Sequence, residues 1–377
     1  MGVFMSIKVH FIASRQDPII DYLLTPVRIN KNKLLELGYD VKIFYKYTHD
    51  ALSCDVLALL SKTILRSMQE KTAVCLESGP TVAFLKKARQ HANKIIWFDT
   101  SDSTSVTHFE LLPFVDLYLK KQIFKEKNMY QKEFYGGRIF SDFYNKKFGI
   151  EDKALFNQFY PLSSEFFDKV QLSWNIGLGD MYGAFTKKAD IRRRFSDYLK
   201  VSYKIPIISP QMVKNTDIFL RTSANLGRNS VSFHRQEMVR RLSCYIDKRK
   251  DLNGSINGDR LSTKDFRAKL SDTKILPSPF GWGEIGVRDY EAFIYGALLF
   301  KPNMDHMLTW PNIFIDGVTY VSIDWGFEKM DEQIDELLFN NLKRIDIATY
   351  GQKAYLDTIS QAGMNRFCNW FIQQINL

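Results

Sequence analysis

Residues 278–296 have the sequence Ser-Pro-Phe-Gly-Trp-Gly-Glu-Ile-Gly-Val-Arg-Asp-Tyr-Glu-Ala-Phe-Ile-Tyr-Gly. The segment Lys274–Pro277 before this stretch and the apolar segment Ala297–Lys301 after it both favour strands. Glycines at positions 281, 283 and 286 favour a turn in which the backbone approaches a ligand closely. The pattern predicts a strand, a glycine-rich turn, a helix and a second strand, which is the repeating unit of a parallel α/β sheet.

The rest of the chain alternates strand-like and helix-like segments in the same way. A chain of 377 residues is too long for one ordinary core, and a second set of elements begins near Asp217. We therefore predict an α/β fold with two Rossmann-like domains and C-terminal helices. The predicted strands of the first half are Ile7–Ala13, Val41–Tyr45, Cys54–Leu60, Thr72–Leu76, Lys94–Asp99 and Val115–Leu119, and Lys187–Lys200 is predicted as a surface helix. The predicted boundaries are an N-terminal domain (1–202), a linker (203–216), a C-terminal domain (217–352) and a C-terminal helix (353–377) that can cross back to the first domain.

The composition is that of a folded, basic protein. It is 45% hydrophobic and 25% charged, and its formal net charge is +10. An excess of this size favours anionic partners such as phosphates, nucleic acid or an acidic membrane face. Four scattered cysteines indicate neither a disulfide framework nor a zinc site, and no stretch approaches the roughly 18–20 apolar residues that span a bilayer. We expect a cytoplasmic protein without a signal peptide.

The glycine-rich stretch also carries candidate chemistry. The N-terminus of the helix after the turn would attract a diphosphate. If this helix begins by Glu284, then Glu284 and Glu291 share one face, because they are two helical turns apart. Arg288 is placed to pair with Glu284 or with a phosphate. The alternative is a plain turn and helix start with an internal Arg–Glu pair.

The same residues carry a family resemblance. The string Ser-Pro-x-Gly-x-Gly-Glu, followed by Arg-x-x-Glu-Ala and Gly-Ala-Leu-Leu-Phe-Lys-Pro302, resembles the donor-site signature of GT-B glycosyltransferases. It is most similar to the exostosin-like branch and to bacterial enzymes that assemble surface polysaccharides, and it is specific over about residues 270–330. The resemblance implies a GT-B type fold whose two Rossmann-like domains face each other across a cleft. It also implies a UDP- or GDP-linked sugar donor, no further cofactor, and a growing lipopolysaccharide O-chain or capsule as acceptor.

The resemblance assigns donor-binding roles to individual residues. Glu291 would hold the nucleotide ribose, and Glu284 would lie near the donor sugar or its phosphates. The common pattern has seven residues between the two glutamates, whereas this chain has six. The strand, loop and helix that begin at Arg221 would supply cations to the diphosphate, so Arg228 and Arg235 are candidates; the alternative is a solvated basic surface. The remaining donor-binding candidates are Ser278, Gly281, Gly283 and Arg288.

The first domain is expected to bind the acceptor and, for an inverting reaction, to supply a general base. Asp102 is the first candidate, Asp99 the second and His108 the third, because all three follow a predicted strand. Each also fits an Asx-turn or a helix cap. Asp180 is a further candidate. Asp99 and Asp102 are separated by two residues rather than one, so they do not form an Asp-x-Asp metal pair, and we predict no required metal.

Residues 118–148 contain eight Lys or Arg and nine aromatic residues. One interpretation is a face for anionic lipid headgroups, where a lipid-diphosphate-linked acceptor would sit. The other interpretation is an aromatic-rich helix pair with solvated lysines. Single-stranded nucleic acid suits such interleaving too, but no RNA-binding signature accompanies it, and we predict no nucleic-acid partner.

Two other functions compete with a transferase. A sugar-nucleotide epimerase is disfavoured because no Gly-x-Gly-x-x-Gly turn follows the first predicted strand. A non-catalytic module that recognises glycan or membrane within a polysaccharide assembly complex is the alternative from another class of protein.

Overall fold

The computed structural model describes residues 6–14, 17–68, 79–155, 159–179 and 206–376. Three earlier predictions lie outside these ranges: the strand Thr72–Leu76, the helix Lys187–Lys200 and the candidate Asp180. The strands are β1 (Ile7–Ile12), β2 (Tyr39–Phe44), β3 (Cys54–Leu60), β4 (Ala92–Asp99), β5 (Leu117–Lys120), β6 (Gln122–Phe124), β7 (Val170–Leu172), β8 (Thr216–Leu220), β9 (Gly254–Ile256), β10 (Thr273–Pro277), β11 (Leu298–Pro302), β12 (Met307–Thr309) and β13 (Val321–Ile323).

The α-helices of the described ranges alternate with these strands. They are α1 (Pro18–Ile29), α2 (Lys31–Glu36), α3 (His49–Leu52), α4 (Ser61–Ser67), α5 (Pro80–Ala88), α6 (Ile139–Phe148), α7 (Asn229–Lys248), α8 (Thr263–Ser271), α9 (Val287–Ile294), α10 (Met330–Phe339), α11 (Asn341–Ile359) and α12 (Gln361–Asn376). Short 3-10 helices cover Phe109–Phe114, Lys127–Gln131, Tyr135–Gly137 and Ser164–Lys169.

Two parallel sheets organise the chain. The first has the order β2-β1-β3-β4-β5-β7 and the second has the order β13-β11-β10-β8-β9. We call the part built on the first sheet (residues 6–179) the first lobe, and the part built on the second sheet (206–359) the second lobe. In each sheet the chain runs outward in both directions from its first strand, so a topological switch point lies between β1 and β3 and between β8 and β10. The predicted α/β class, with two Rossmann-like domains of GT-B type and C-terminal helices, is confirmed.

The strands form because they are short apolar runs that are covered on both faces. In β3, for example, Val56 to Leu60 are all buried, and the apolar residues on its two sides belong to two different core clusters. Continuous apolar runs of this kind are typical of parallel sheets that carry helices on both faces. The sheets are therefore rigid supports for the loops at their edges.

A strand pairing and a C-terminal helix join the two lobes in addition to the connecting chain. Strand β6 of the first lobe pairs antiparallel with β12 of the second, with Gln122 opposite Thr309. Helix α12 leaves the second lobe and packs on the first, where Phe367 and Phe371 contact the ring of Trp174. The prediction of one C-terminal helix over 353–377 is wrong in one respect, because the chain is divided at Ser360 into α11 and α12.

The basic and aromatic run at 118–148 does not expose a continuous aromatic face. Tyr118, Phe124, Tyr130, Phe140 and Tyr144 are at most 3% exposed and belong to the core. The structure therefore supports the interpretation of an aromatic-rich packing segment. Across the described residues, none of the helices combines the length and the apolar character needed to cross a membrane.

Candidate functional site

The candidate residues of the second lobe lie at the switch point of its sheet. Strand β8 ends at Leu220, just before the loop that begins with Arg221, and β10 ends at Pro277, just before the turn at Gly281 and Gly283. Ligands of open α/β sheets bind outside the carboxyl ends of the strands at such a point. Both candidate segments of this lobe are therefore where the fold favours a ligand.

The first lobe presents its own strand ends toward the same place. Strands β3, β4 and β5 end at Leu60, Asp99 and Lys120, and polar residues follow each of them. A Cβ atom added to Gly283 would be only 1.8 Å from the backbone oxygen of Asp102. The carboxyl edges of the two sheets thus meet where the second-lobe turn contacts the loop after β4.

The turn at 281–283 requires glycine at position 283 and is closely packed at position 281. A Cβ on Gly281 would be 2.3 Å from Nη2 of Arg235, and one on Gly283 would overlap the first-lobe backbone. The amide of Gly281 donates to the carbonyl of Gly283 at 3.0 Å, which closes the turn. Arg235 and Asp102 therefore both pack closely against the turn.

A buried ion pair fixes the turn to helix α9. The Nζ of Lys301 is 2.6 Å from Oδ2 of Asp289 and 2.7 Å from the carbonyl oxygen of Glu284. Burial lowers the pKa of Lys301, whereas the Asp289 carboxylate opposes that shift. Asp289 also accepts a hydrogen bond from Ser278, so this predicted donor-binding hydroxyl is buried and engaged inside the protein.

Glu284 lies before helix α9, which begins at Val287, so the condition under which Glu284 and Glu291 would share one helical face is not met. The Glu284 carboxylate is buried and accepts from Ser103 Oγ at 3.1 Å, from the Thr104 amide at 3.0 Å and from Gln122 Nε2 at 2.9 Å. Nε2 of His306 is 3.6 Å away. Burial alone would raise the pKa of Glu284, but His306 and the Thr104 amide outweigh it and lower the pKa. Glu284 therefore connects the second lobe to the first through hydrogen bonds.

Glu291 lies on helix α9 and remains partly exposed. Burial raises the pKa of its carboxyl group, and the nearby Arg288 and Arg267 oppose that rise. Arg288 donates to the backbone oxygen of Arg221 rather than pairing with Glu284. Glu291 is thus a partly accessible carboxylate beside guanidinium groups. A carboxylate must be accessible in this way to accept hydrogen bonds from the hydroxyl groups of a ligand.

Arg235 and Arg288 form a pair of like charges beside the turn. Arg235 donates to the carbonyls of Phe280 at 3.0 Å and Ser223 at 3.1 Å. Burial and the charge of Arg288 lower the pKa of Arg235 to about 10. Within the described ranges neither guanidinium forms a salt bridge with a carboxylate. Two partly buried guanidinium groups that repel each other favour an anionic ligand.

Arg228 was predicted to contact the donor diphosphate, but in the structure it contacts a carboxylate of the first lobe. Its Nη2 is 2.7 Å from Oδ2 of Asp152 and its Nε is 3.0 Å from the same oxygen. Burial would raise the pKa of Asp152, but the Ser230 amide and Arg228 lower it. Arg228 therefore ties the second lobe to the first and is already paired with a carboxylate.

The three candidate bases differ in accessibility. Asp99 is fully buried and accepts from Lys120 Nζ and Tyr118 Oη, each at 2.8 Å; burial would raise its pKa, but Lys120 and His108 lower it. His108 is 4% exposed, and its Nδ1 is 3.6 Å from Asp99. The side chain of Asp102 is 31% exposed. Asp102 is thus the candidate that a bound acceptor reaches without displacing core residues.

Three further cations at this site were not predicted from the sequence: Lys62, Lys121 and Arg138. Lys62 Nζ is 2.8 Å from Oδ1 of Asp102, and Lys121 Nζ is 3.4 Å from the same atom. Lys62 is the second residue after the end of β3 and Lys121 the first after the end of β5, so a search of the residues after each predicted strand would have found them. Arg138 precedes helix α6, and no sequence pattern distinguishes it from the other basic residues of its run.

The described residues contain no group of three or more His, Cys, Asp or Glu side chains placed to hold a metal ion. The absence of a metal requirement stays a prediction, as do the roles of the individual site residues.

The sequence matches no protein-family model, and no curated protein is similar to it in sequence. Among solved structures, the chain is similar to Anabaena Alr3699/HepE in complex with UDP-glucose, with 11% identity, a TM-score of 0.45, and coverage of 97% of this chain and 99% of that one. It is similar to sucrose-phosphate synthase from Thermosynechococcus elongatus, with 9% identity, a TM-score of 0.47, and coverage of 98% and 99%. It is also similar to a putative UDP-N-acetylglucosamine 2-epimerase from Listeria monocytogenes, with 11% identity, a TM-score of 0.41, and coverage of 96% of each chain.

Proposed function

We propose that the chain transfers a sugar from a nucleoside-diphosphate donor to a growing cell-surface glycan. The observation that carries this proposal is the contact between the Gly281–Gly283 turn and Asp102. That contact brings the switch point of the second sheet, with the guanidinium groups of Arg235 and Arg288, against the partly exposed carboxylate of Asp102 in the first lobe. A donor bound to the second lobe and an acceptor activated by the first lobe would meet at this contact.

The donor side of the site supports binding of a nucleoside diphosphate. Glu291 is a partly accessible carboxylate, and the ribose hydroxyls would donate to it. Arg235 and Arg288 would take the diphosphate, because a guanidinium fork matches phosphate oxygens in geometry and charge. Their mutual repulsion in the free protein would be relieved by the bound anion.

The first lobe would supply the base. An acceptor hydroxyl attacks the anomeric carbon, its proton passes to Asp102, and the bond from that carbon to the diphosphate oxygen breaks. Burial would raise the pKa of Asp102, but Lys121 and Lys62 lower it, so the carboxyl group is ionised and able to accept a proton at neutral pH. Arg235 and Arg288 would stabilise the charge on the leaving diphosphate without a metal ion.

The acceptor belongs to the same proposal. An O-chain or capsule precursor linked to a lipid diphosphate is an anionic substrate, and the formal charge of +10 suits it. A cytoplasmic enzyme that contacts the anionic inner face of the membrane would meet such a substrate. This contact rests on charge alone, since the aromatic residues of the 118–148 run are largely buried.

The experiment that tests the proposal is calorimetric titration of the full chain with UDP and GDP. Wild-type protein should bind at least one of them, and Glu291→Ala should weaken that binding at least about tenfold, because a hydrogen bond to a charged group contributes about 1.5–3 kcal/mol. Glu332→Ala removes an exposed carboxylate of helix α10 and should change nothing. Slow hydrolysis of the matching nucleotide sugar by wild-type protein would support transfer.

Two results would count against this function. Failure of wild-type protein to bind any nucleoside diphosphate would favour a non-catalytic module that recognises glycan. Unchanged affinity in Glu291→Ala would show that the ribose lies elsewhere.

A further inference from the structure

A group of charged and aromatic side chains surrounds Asp102 on the first-lobe side of the turn. We call Lys62, Asp102, Lys121, Arg138 and Trp282 the Asp102 cluster. Lys62 Nζ lies 2.8 Å and 3.0 Å from the two carboxylate oxygens of Asp102, and Lys121 reaches one of them at 3.4 Å. Arg138 Nε donates to the backbone oxygen of Trp282 at 3.0 Å.

The Asp102 cluster has more positive than negative charge. Two ammonium groups share one carboxylate, and burial lowers the pKa of Lys121, with the neighbouring Lys62 adding to the shift. Burial and the charge of Arg228 lower the pKa of Arg138 to about 10. Glu284, the next carboxylate that acts on Arg138, already accepts hydrogen bonds from neutral groups of the first lobe. The charge of Arg138 is therefore not balanced by a partner of its own.

The cluster is open to solvent on one side. The side chains of Lys62 and Asp102 are 27% and 31% exposed, whereas Lys121 is 2% exposed and forms the base of the group. A ligand can therefore reach the Lys62 ammonium group from the solvent side. An anion that bound there would meet the donors of Lys62 and Arg138, with the charge of Lys121 behind Asp102, in a partly desolvated place where charge–charge attraction is stronger than in water.

Trp282 adds an apolar surface to the charged one. It is 38% exposed although it lies between two glycines that are enclosed by their neighbours. The guanidinium of Arg138 is 5.0 Å from the centre of its ring, which fixes the orientation of the indole. A large, rigid and partly exposed aromatic ring beside hydrogen-bonding groups suits the apolar face of a sugar ring.

We propose that the Asp102 cluster binds an acceptor saccharide that carries a negative charge, a phosphate or a carboxylate, next to the sugar ring that packs on Trp282. The proposal rests on the proposed function, because it places the acceptor on the Asp102 side of the turn and the donor diphosphate on the Arg235 and Arg288 side. Lys62 and Arg138 contact the anion, the buried Lys121 adds its charge from the base of the group, and Trp282 contacts the ring. The bound acceptor thus presents a hydroxyl group to Asp102.

The experiment compares neutral and anionic sugars in calorimetric titrations of the full chain, with UDP or GDP at saturation so that the donor side is occupied. The probes are methyl glycosides, methyl uronides and sugar 1-phosphates in the gluco, galacto and manno series. We expect at least one anionic probe to bind at least tenfold more tightly than its neutral counterpart. The comparison of uronide with 1-phosphate identifies whether a carboxylate or a phosphate is recognised.

Matched variants locate the binding. Lys62→Met and Arg138→Met should lose the preference for the anionic probe, and Arg138→Lys should recover part of it. Trp282→Ala should weaken all sugars together, whereas Trp282→Phe should weaken them less. Lys87→Met, which alters an exposed lysine of helix α5, should behave as wild type.

Three results overturn the proposal: equal affinity for neutral and anionic sugars, no binding of any probe, or a preference that persists in both methionine variants. A loss of nucleotide affinity in Arg138→Met assigns the cluster to the donor, so the inference fails while the proposed function stands. In contrast, cluster-dependent binding of an anionic sugar by a protein that binds no nucleotide supports the ligand chemistry inferred here and rejects the proposed function.

Discussion

Glu284 and Glu291 show how burial divides two similar carboxylates between two tasks. Glu284 is 1% exposed and receives hydrogen bonds from three residues of the other lobe. Glu291 is partly exposed, and burial raises its pKa while the nearby arginines oppose the rise. A carboxylate with saturated oxygens stabilises the fold, whereas one with free lone pairs is available to a ligand. Each of them is therefore tested by a different measurement.

Glu284→Gln should destabilise the protein in a pH-dependent way. At neutral pH the amide cannot accept all the bonds of the carboxylate, so we expect a loss of about 1–3 kcal/mol in the free energy of unfolding. The folded pKa of Glu284 lies below its usual 4.5, so its stabilisation is present above pH 4.5 and disappears as the pH falls through the folded value. Urea denaturation from pH 7 to pH 2 should show the difference in unfolding free energy between the variant and the wild type narrowing below pH 4.5. A difference in unfolding free energy that stayed constant with pH would exclude Glu284 as the origin of the pH dependence. The same conclusion would follow if the exposed control Glu332→Gln showed the same pH-dependent loss.

Gly283→Ala should disturb the contact between the lobes. The added methyl group would lie 1.8 Å from the backbone oxygen of Asp102, so backbone must move, at a cost of about 1–3 kcal/mol. Gly286→Ala is the matched control, because a Cβ there meets no atom within 4 Å. Thermal unfolding should show a clearly lower midpoint for Gly283→Ala than for Gly286→Ala. Equal midpoints for the two variants would mean that the two lobes lie farther apart at the turn than the structure shows.

Among the elements, helix α9 and the turn before it act as one unit. The turn is tied to the helix by the Asp289–Lys301 ion pair, in which both side chains are at most 1% exposed. Strand β11 supplies Lys301, so the helix, the turn and the sheet are connected through one buried contact. The position of the turn is thus determined by the packing of the second lobe.

Lys301→Met should therefore be strongly destabilising. It leaves the Asp289 carboxylate buried without its cation, which typically costs about 3–5 kcal/mol. The exposed Lys329 offers a control, and Lys329→Met should change the free energy of unfolding by less than about 0.5 kcal/mol. Denaturant unfolding at neutral pH measures both. A loss below about 1 kcal/mol for Lys301→Met would contradict a buried pair.

Long, periodic elements could be predicted from the sequence, and contacts between distant segments could not. Strand Cys54–Leu60 has the predicted bounds because it is a continuous apolar run. The pairing of β6 with β12 was not predicted, because three-residue strands carry no periodic signal and their pairing depends on the tertiary fold. The burial of Asp99 and the pairing of Arg228 with Asp152 were hidden for the same reason: a charged residue after a strand has the same sequence signal whether it faces a ligand or a neighbouring ion.

At the scale of the whole molecule, one of the three hydrophobic clusters of the described residues extends across both lobes. A single cluster of buried side chains contains Val9 and Phe98 of the first lobe, Phe280 and Tyr290 of the second, and Phe367 of helix α12. Because the β6–β12 pairing, Glu284 and helix α12 all connect the lobes, separating them would expose apolar and polar groups together. We therefore expect the described lobes to unfold in one cooperative transition, although each sheet has its own core strands.

Phe371→Ala tests this coupling from the far end of the chain. Phe371 is fully buried, and its ring lies 6.2 Å from that of Phe11 and 5.9 Å from that of Trp174. Removing a buried phenylalanine ring costs about 3–5 kcal/mol. Since helix α12 follows directly from the second lobe but packs on the first, the loss should lower a single calorimetric transition. Asn369→Ala, on the exposed side of the same helix, should leave the transition in place. Two transitions, of which only one moves in Phe371→Ala, would show that the lobes unfold independently and that the contact at the turn does not couple them.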